Sequence, residues 1–452
     1  MEQSQNFTAG RIAGPLIRFA VPVLLAMLLQ SLYSAVDMAI VGKFATSRDV
    51  SAVATGGGMM WTVMSIIMGL SMGITILLGQ AIGRGDRDSA GDIVGSGICF
   101  FFVMSLVLTV VMMFVSRPFA VLMNAPKEAF EQTVAYTRIC AAGILFITGY
   151  NVVGSVFRGM GDSKTPLLTV AIATVFNIAG DLLLVAVFKM GAAGAAYATI
   201  AAQAISVIAS LYIVSKRGLP FTFSKRNIRF NGAIIKRAVR MGRPIALQDS
   251  LVSISFLFIN SIVNSLGVIA SAAVGVSDRV LGFIFLVPSA FSSSVSSFVA
   301  QNFGAGKLDR ARKALVYSMG ISLVIDIFMA YLTFFHGDVL NGFFSRDPEV
   351  IRASIGYMKA NAIDTILCSF LFCFNGYFTG CGDTKFVMVQ GIAGAFLVRI
   401  PIAYMMSVSS NPTLFRIGLG TPASTFAQIV LCVAWCIYTY RHTEIRSVNN
   451  AL

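Results

Sequence analysis

Gly159-Met-Gly-Asp-Ser-Lys164 is answered further down the chain by Gly380-Cys-Gly-Asp-Thr-Lys385, at an offset of 221 residues. The same offset carries Gln80, Gly83, Gly85, Asp88 and Ala90 onto Gln301, Gly304, Gly306, Asp309 and Ala311. It also carries Glu128, Tyr136 and the basic Arg138 onto Glu349, Tyr357 and the basic Lys359, while Pro22 and Pro244 lie one residue off it. Several segments at one spacing mark an internal repeat. The chain therefore reads as two copies of one unit.

Composition says what solvent those copies fold in. Of 452 residues, 56% are hydrophobic and 12% charged, with a mean hydropathy of +0.80. Soluble domains carry about 25% charged residues, so a soluble enzyme is excluded and lipid is the main solvent. A membrane helix needs about 20 mostly apolar residues. Twelve such stretches occur, near 15–41, 52–79, 93–115, 130–157, 166–188, 191–214, 242–266, 270–300, 313–335, 352–378, 386–408 and 416–440. Only Gly267 marks the break between the seventh and eighth. The first stretch follows MEQSQNFTAGRIAG, which lacks the basic start, short apolar core and cleavage site of a signal peptide, and is expected to stay in the protein.

The fold class expected is an all-α polytopic membrane protein with twelve transmembrane helices in two six-helix pseudo-symmetric lobes. Residues 1–214 form the N-terminal lobe, 215–241 a basic linker and 242–452 the C-terminal lobe. Because six is even, both copies begin on the same side of the membrane and are related by an axis along its normal. Two bundles on one linker can expose a cleft to either side in turn.

Thirty-four Lys and Arg against twenty Asp and Glu give a net charge of +14. Most loop cations fall on one face, including Arg84, Arg87, Arg158, Lys164, Lys307, Arg310, Lys385 and the run from Lys216 to Arg243, which holds no Asp or Glu. Basic loops stay inside, so both termini and the linker are expected to be cytoplasmic. The linker reads as an anchor at anionic headgroups, with no nucleic-acid partner. The seven cysteines form no CxxC and read as packing residues.

The two GxGD[ST]K loops, the QxxGxGxxxxA segments ending the second and eighth spans and the twelve-span count resemble the multidrug and toxic compound extrusion (MATE) transporters. The resemblance covers nearly the whole chain. It implies a multi-pass transporter of the inner (plasma) membrane that exports amphipathic organic compounds or drugs against inward protons or sodium ions, with no cofactor.

Six carboxylates lie within spans: Asp37, Asp181, Asp249, Asp278, Asp326 and Asp364. Each is expensive in hydrocarbon and is expected to face a cavity or a partner. At 1.5 Å per residue, Asp37 and Asp181 lie roughly 6 to 10 Å from the outer ends of their spans, and Thr199 roughly 12 Å down the sixth. Asn177 sits one turn below Asp181 on the same face. These four can share one layer, where two close carboxylates resist double ionisation and so take up a proton. Na⁺ would use the same oxygens, so a metal site is at most this one. They match the ion site of the DinF-type branch of the family: an Asp on the first span, N-x-x-x-D on the fifth and a Thr on the sixth. Tyr33, Tyr136 and Asn151 match polar residues lining that lobe, and Pro22 the proline about which the first helix bends. Gln30 and Asp364 join the candidate cavity residues. NorM-type members carry acidic residues on spans seven and ten. Here Asp249 and Asp364 fall about a turn from those positions, which argues against a cation site in the C-terminal lobe.

Structural alternatives stand beside these. Arg138 could pair with Asp37 and Asp181, Asp278 with Arg279, and Asp326 with Arg399. Met60, Met64, Met68 and Met72 recur every fourth residue and read as packing. Asp162 and Asp383 are expected to cap the helices that follow them. Neither His336 nor His442 suits a buried base, and no HExxH, GxSxG or phosphate loop occurs, so an enzyme is not expected. A flippase or exporter of a lipid-linked or specific metabolite substrate is the alternative transporter.

Overall fold

The computed structural model describes residues 7–449, with side chains to residue 440. Eleven of its helices are long and apolar enough to cross a membrane, and a bent pair supplies a twelfth. In order the spans are Ala13–Phe44, Ser47–Arg84, Arg87–Leu122, the pair Lys127–Ala142 and Ile144–Met160, Lys164–Val187, Gly191–Arg217, Gly232–Asn264, Val268–Gly304, Leu308–Phe335, Pro348–Cys381, Thr384–Ser407 and Leu414–Tyr440. All twelve expected spans are present. The seventh and eighth part at Gly267, whose φ of 108° a side chain would oppose. The fourth span departs from the continuous helix read from sequence, bending by 53° at Gly143. A Cβ there would lie 2.4 Å from Ile200 Cγ1, so the break falls where the sixth span leaves no room for a side chain. Large apolar side chains such as Phe114, Val316 and Leu397 remain exposed, as a lipid-facing surface requires.

The chain packs as two units. The first runs to Leu247 and takes in Ser297–Ala311 and Gly380–Gly382. The second comprises Gln248–Ser296, Arg312–Thr379 and the chain from Asp383 on. In the first, Val41, Val53, Ile67, Ile144 and Val185 share a buried core with Met60, against which Met64 packs. Met68 is 45% exposed, so the methionine stripe is packing over only part of its length.

The repeated motifs meet within the first unit. Gln80 donates its side-chain amide to the carbonyl oxygen of Gly380 at 3.2 Å, and Gln301 donates to that of Gly159 at 3.0 Å. A Cβ on Gly83 would fall 1.9 Å from Gln301 O, and one on Gly304 2.0 Å from Gln80 O. The glycines of the QxxG segments are thus required by two backbones in mutual contact. Gly161 and Gly382 turn the GxGD loops with φ of 79° and 88°.

Two further segments close this unit. Phe7 is fully buried between Phe19 and Phe298, at ring-centroid distances of 5.3 and 5.0 Å. Its carbonyl accepts from Asn302 Nδ2 and Arg310 Nε, and Arg310 reaches on to the carbonyls of Ala9, Gly10 and Arg11. The basic linker, expected only to touch headgroups, docks on the third span. Asn227 Nδ2 and Arg229 bond the carboxylate of Asp92 at 2.8 and 3.0 Å, and Phe221 enters the core.

The two loop aspartates differ. Asp162 Oδ1 accepts from the backbone N–H groups of Lys164 and Thr165, as a cap should. Asp383 makes no side-chain cap bond, contrary to expectation. Its Oδ2 accepts from Trp435 Nε1 at 2.6 Å. The indole is stacked on Phe386 at 4.8 Å; a packed indole needs an acceptor for its N–H, and the nearby carboxylate supplies it.

Candidate functional site

Three helices of the first unit each contribute a pair of polar residues four apart, and therefore on one face. The first span carries Tyr33 and Asp37, the fifth Asn177 and Asp181, and the sixth Thr199 and Gln203. The fifth and sixth spans pack along one another and the first packs on the fifth, which turns the three faces together. The carboxyl groups of Asp37 and Asp181 come within hydrogen-bonding reach of each other, as do the Tyr33 and Thr199 hydroxyls. Asn177 Nδ2 lies 3.5 Å from Thr199 Oγ1.

Burial makes this arrangement costly. Asn177 and Asp181 are fully buried and Gln203 is 8% exposed. Five buried oxygens here have no hydrogen-bond donor: Asp37 Oδ1, Asn177 Oδ1, both carboxylate oxygens of Asp181 and Gln203 Oε1. A buried acceptor left unmade costs about 1–3 kcal/mol, and more when charged. Five buried acceptors left unpaired on three packed helices are unusual for a structural hydrogen-bond network. Oxygens of this kind are the donor type that a proton or a small hard cation takes.

Beside them lies a cavity of about 20 Å³ lined by Gln30, Tyr33, Tyr150, Asn177 and Gln203, among others. A water needs roughly 10–15 Å³, so the space suits a single water-sized guest. Among the described residues no three His, Cys, Asp or Glu side chains cluster as a metal site; the oxygen donors here are partly amide and hydroxyl.

The structure thus brings together Asp37, Asn177, Asp181 and Thr199, with Tyr33 and Gln30 at the cavity wall. Tyr136 is buried within electrostatic reach of Asp37 and Tyr33. Asn151 turns its amide back to Ile147 O at 2.8 Å on its own helix, and its neighbour Tyr150 lines the cavity instead. Asp364 belongs to the second unit. Pro22 lies within the continuous first helix, fifteen residues before Asp37, at roughly 22 Å by helical rise. Sequence reasoning missed Gln203 and Tyr150; the four-residue step from Thr199 would have reached Gln203.

The structural ion pairs considered for these carboxylates do not form. Arg138 is exposed and donates to Ser116 Oγ at 3.2 Å, so its length is spent away from Asp37 and Asp181. Asp326 accepts from Ser322 and makes no ion pair with Arg399. Asp278 and Arg279 are adjacent on a helix, where side chains diverge, and they also remain unpaired. The ion pairs among the described residues are Arg117 with Glu131 and Arg229 with Asp92. None of the seven cysteines forms a disulfide.

Comparison with known proteins adds to this geometry. The MatE family model matches residues 22–183 and 244–405, one segment in each repeat. The probable multidrug resistance protein YoeA of Bacillus subtilis is 26% identical over 439 residues, which covers 94% of each chain. Among solved structures, a MATE crystallised in complex with MaD3S superposes with a TM-score of 0.91 at 20% identity, covering 98% of this chain and 99% of that one. A MOP superfamily transporter from Pyrococcus furiosus superposes at 0.89 and 20% identity, over 96% and 97%.

Proposed function

The chain belongs to the MatE family of membrane transporters, and from that premise we propose that it exports amphipathic organic compounds in exchange for inward protons or sodium ions. The coupling ion binds at Asp37, Asn177, Asp181, Thr199 and Gln203. One observation carries this reading: five buried oxygens on these side chains, two of them on one carboxylate, accept no hydrogen bond. Relatives whose names denote multidrug resistance support the substrate class. The membrane is the inner (plasma) membrane, with both termini and the docked linker cytoplasmic.

The mechanism follows from charge. With the site empty, two facing carboxylates repel each other in a medium that screens them poorly. Uptake of one cation or proton removes that repulsion and lets the first, fifth and sixth spans close on the occupied layer. Release on the cytoplasmic side restores the repulsion and the other arrangement. A charge crossing 100 mV is worth about 2.3 kcal/mol, which shifts a two-state equilibrium roughly fifty-fold. Pro22 has no N–H for the carbonyl one turn back, so the first helix can bend there.

Proteoliposome efflux of a cationic dye, driven by an imposed pH gradient in one arm and a Na⁺ gradient in the other, tests the proposal. Efflux in at least one arm, lost in Asp181→Asn, is expected. Efflux indifferent to both gradients, or movement of a lipid-linked oligosaccharide in place of the dye, overturns it.

A further inference from the structure

The two repeats part company at one buried arginine. On an offset of 222, one more than that of the GxGD loops and the one that relates Pro22 to Pro244 and both ends of the two matched family segments, Tyr33, Asn177 and Gln203 of the first repeat fall on Ser255, Arg399 and Thr425 of the second. The first three line the small cavity beside the coupling carboxylates. The second three are all buried in the second unit. Arg399 Nη1 donates to Ser255 Oγ at 3.1 Å, and its guanidinium lies 4.4 Å from the centre of the Phe256 ring. Asp364, 2% exposed, is within electrostatic reach of Arg399 and within hydrogen-bonding reach of Thr425. Arg399 ends a π-helical segment, Gly394–Arg399, a distortion that often accompanies functional sites.

The positions of the two coupling carboxylates have changed as well. Ile259 and Ala403 stand, on the same offset, where the first repeat has Asp37 and Asp181. One half therefore holds a small cavity lined by Tyr33, Asn177 and Gln203, whose helices also carry Asp37 and Asp181, and the other holds a guanidinium at the matching place with Asp364 in its electrostatic reach. We infer that Arg399 is a tethered cation, which occupies in the second repeat the place that the first leaves open for an exchangeable one. Asp364 then has a permanent counter-charge, and the second repeat takes up no ion during the cycle. The inference rests on the coupling site proposed above and adds that ion exchange is confined to one half of the molecule.

Both charges stay buried for a physical reason. A guanidinium in a membrane interior is tolerated when it faces the protein and has carboxylate or hydroxyl company. Arg399 is held by Ser255 and the Phe256 ring face and Asp364 by Cys368 and Thr425, while Arg399 Nε and Asp364 Oδ1 each lack a hydrogen-bond partner; the two charges attract without closing into an ion pair. If the guanidinium is removed, Asp364 is left needing a cation, and a mobile one can enter.

The test uses purified full-length protein and reads the melting temperature in choline chloride against NaCl at equal ionic strength, and at neutral against acid pH. In the D37N/D181N background neither change should raise Tm. Adding R399Q should create a rise of at least about 3 °C with Na⁺ or acid, and adding D364N to that should abolish it. No gain in R399Q, or a gain that survives D364N, overturns the inference. If R399Q does not accumulate, the yield of R399Q/D364N is read: recovery supports the pairing and failure to recover overturns it. A cation response that persists in D37N/D181N counts against the first-repeat site. The Arg399 inference is then decided by comparing R399Q with R399Q/D364N in the otherwise natural chain.

Discussion

Gln301 donates its side-chain amide to Gly159 O at 3.0 Å, and the partners of this bond come from the two different copies of the repeat. Its mate, Gln80 to Gly380, runs the other way. The contact leaves no room at Gly83 or Gly304. Gly83→Ala should therefore lower the melting temperature of the purified protein by several degrees, as overpacking costs about 1–3 kcal/mol. Gly57→Ala, where a Cβ meets nothing within 4 Å, should leave it unchanged or raise it slightly. Equal effects at the two positions would mean that the backbones are not in contact.

Asp37→Asn and Asp181→Asn should each abolish gradient-driven efflux, by tenfold or more, with the protein still present in the membrane. The amide keeps the volume but removes the charge that draws the ion. Wild-type efflux in both variants would move the coupling site elsewhere.

Gln203→Leu should act more mildly. It removes one neutral oxygen from the cavity wall without changing charge. The concentration of driving ion needed for half-maximal efflux should rise about tenfold, equivalent to the loss of one hydrogen-bond-strength contact, while the maximal rate holds. A changed maximal rate at constant ion requirement would place Gln203 outside the ion's shell.

Pro22→Ala should slow turnover and leave ion binding intact. Alanine restores the backbone N–H and stiffens the first helix. Binding measured by Na⁺- or acid-dependent stabilisation should match the natural chain, and efflux should fall. Unchanged efflux would favour rigid-body rocking without a bend.

Lys225→Cys, placed in a chain without other cysteines, should resist impermeant maleimide added outside intact cells and react after permeabilisation. Labelling from outside would invert the topology.

Much of this architecture is legible from residue order, and the exceptions have physical causes. Span count and the repeat follow from length and apolarity, which local composition carries. The 53° bend at Gly143 could not be seen, because the close neighbour that demands glycine there, Ile200, lies on another helix. The unmet cap of Asp383 depends on Trp435, far along the chain, and the docking of the linker on the third span depends on Asp92. Of the candidate site, Asp37 and Asp181 were readable because charge within a span is conspicuous, Asn177 because it stands one turn from Asp181, and Thr199 through its depth and the family resemblance. Gln203 and Tyr150 were not, since a neutral polar residue in a span does not announce which way it faces.

The crossed glutamine–glycine contact has a further consequence. Each copy offers one donor and one acceptor, and each takes the other's, which is the self-complementary geometry of a two-fold homodimer. A single six-span chain carrying both Gln80 and Gly159 would present to an identical twin everything this contact needs. At this contact the two copies meet as two identical subunits would. Joined in one chain, the two copies need not be identical: one carries acidic Asp37 and Asp181 and the other Arg399.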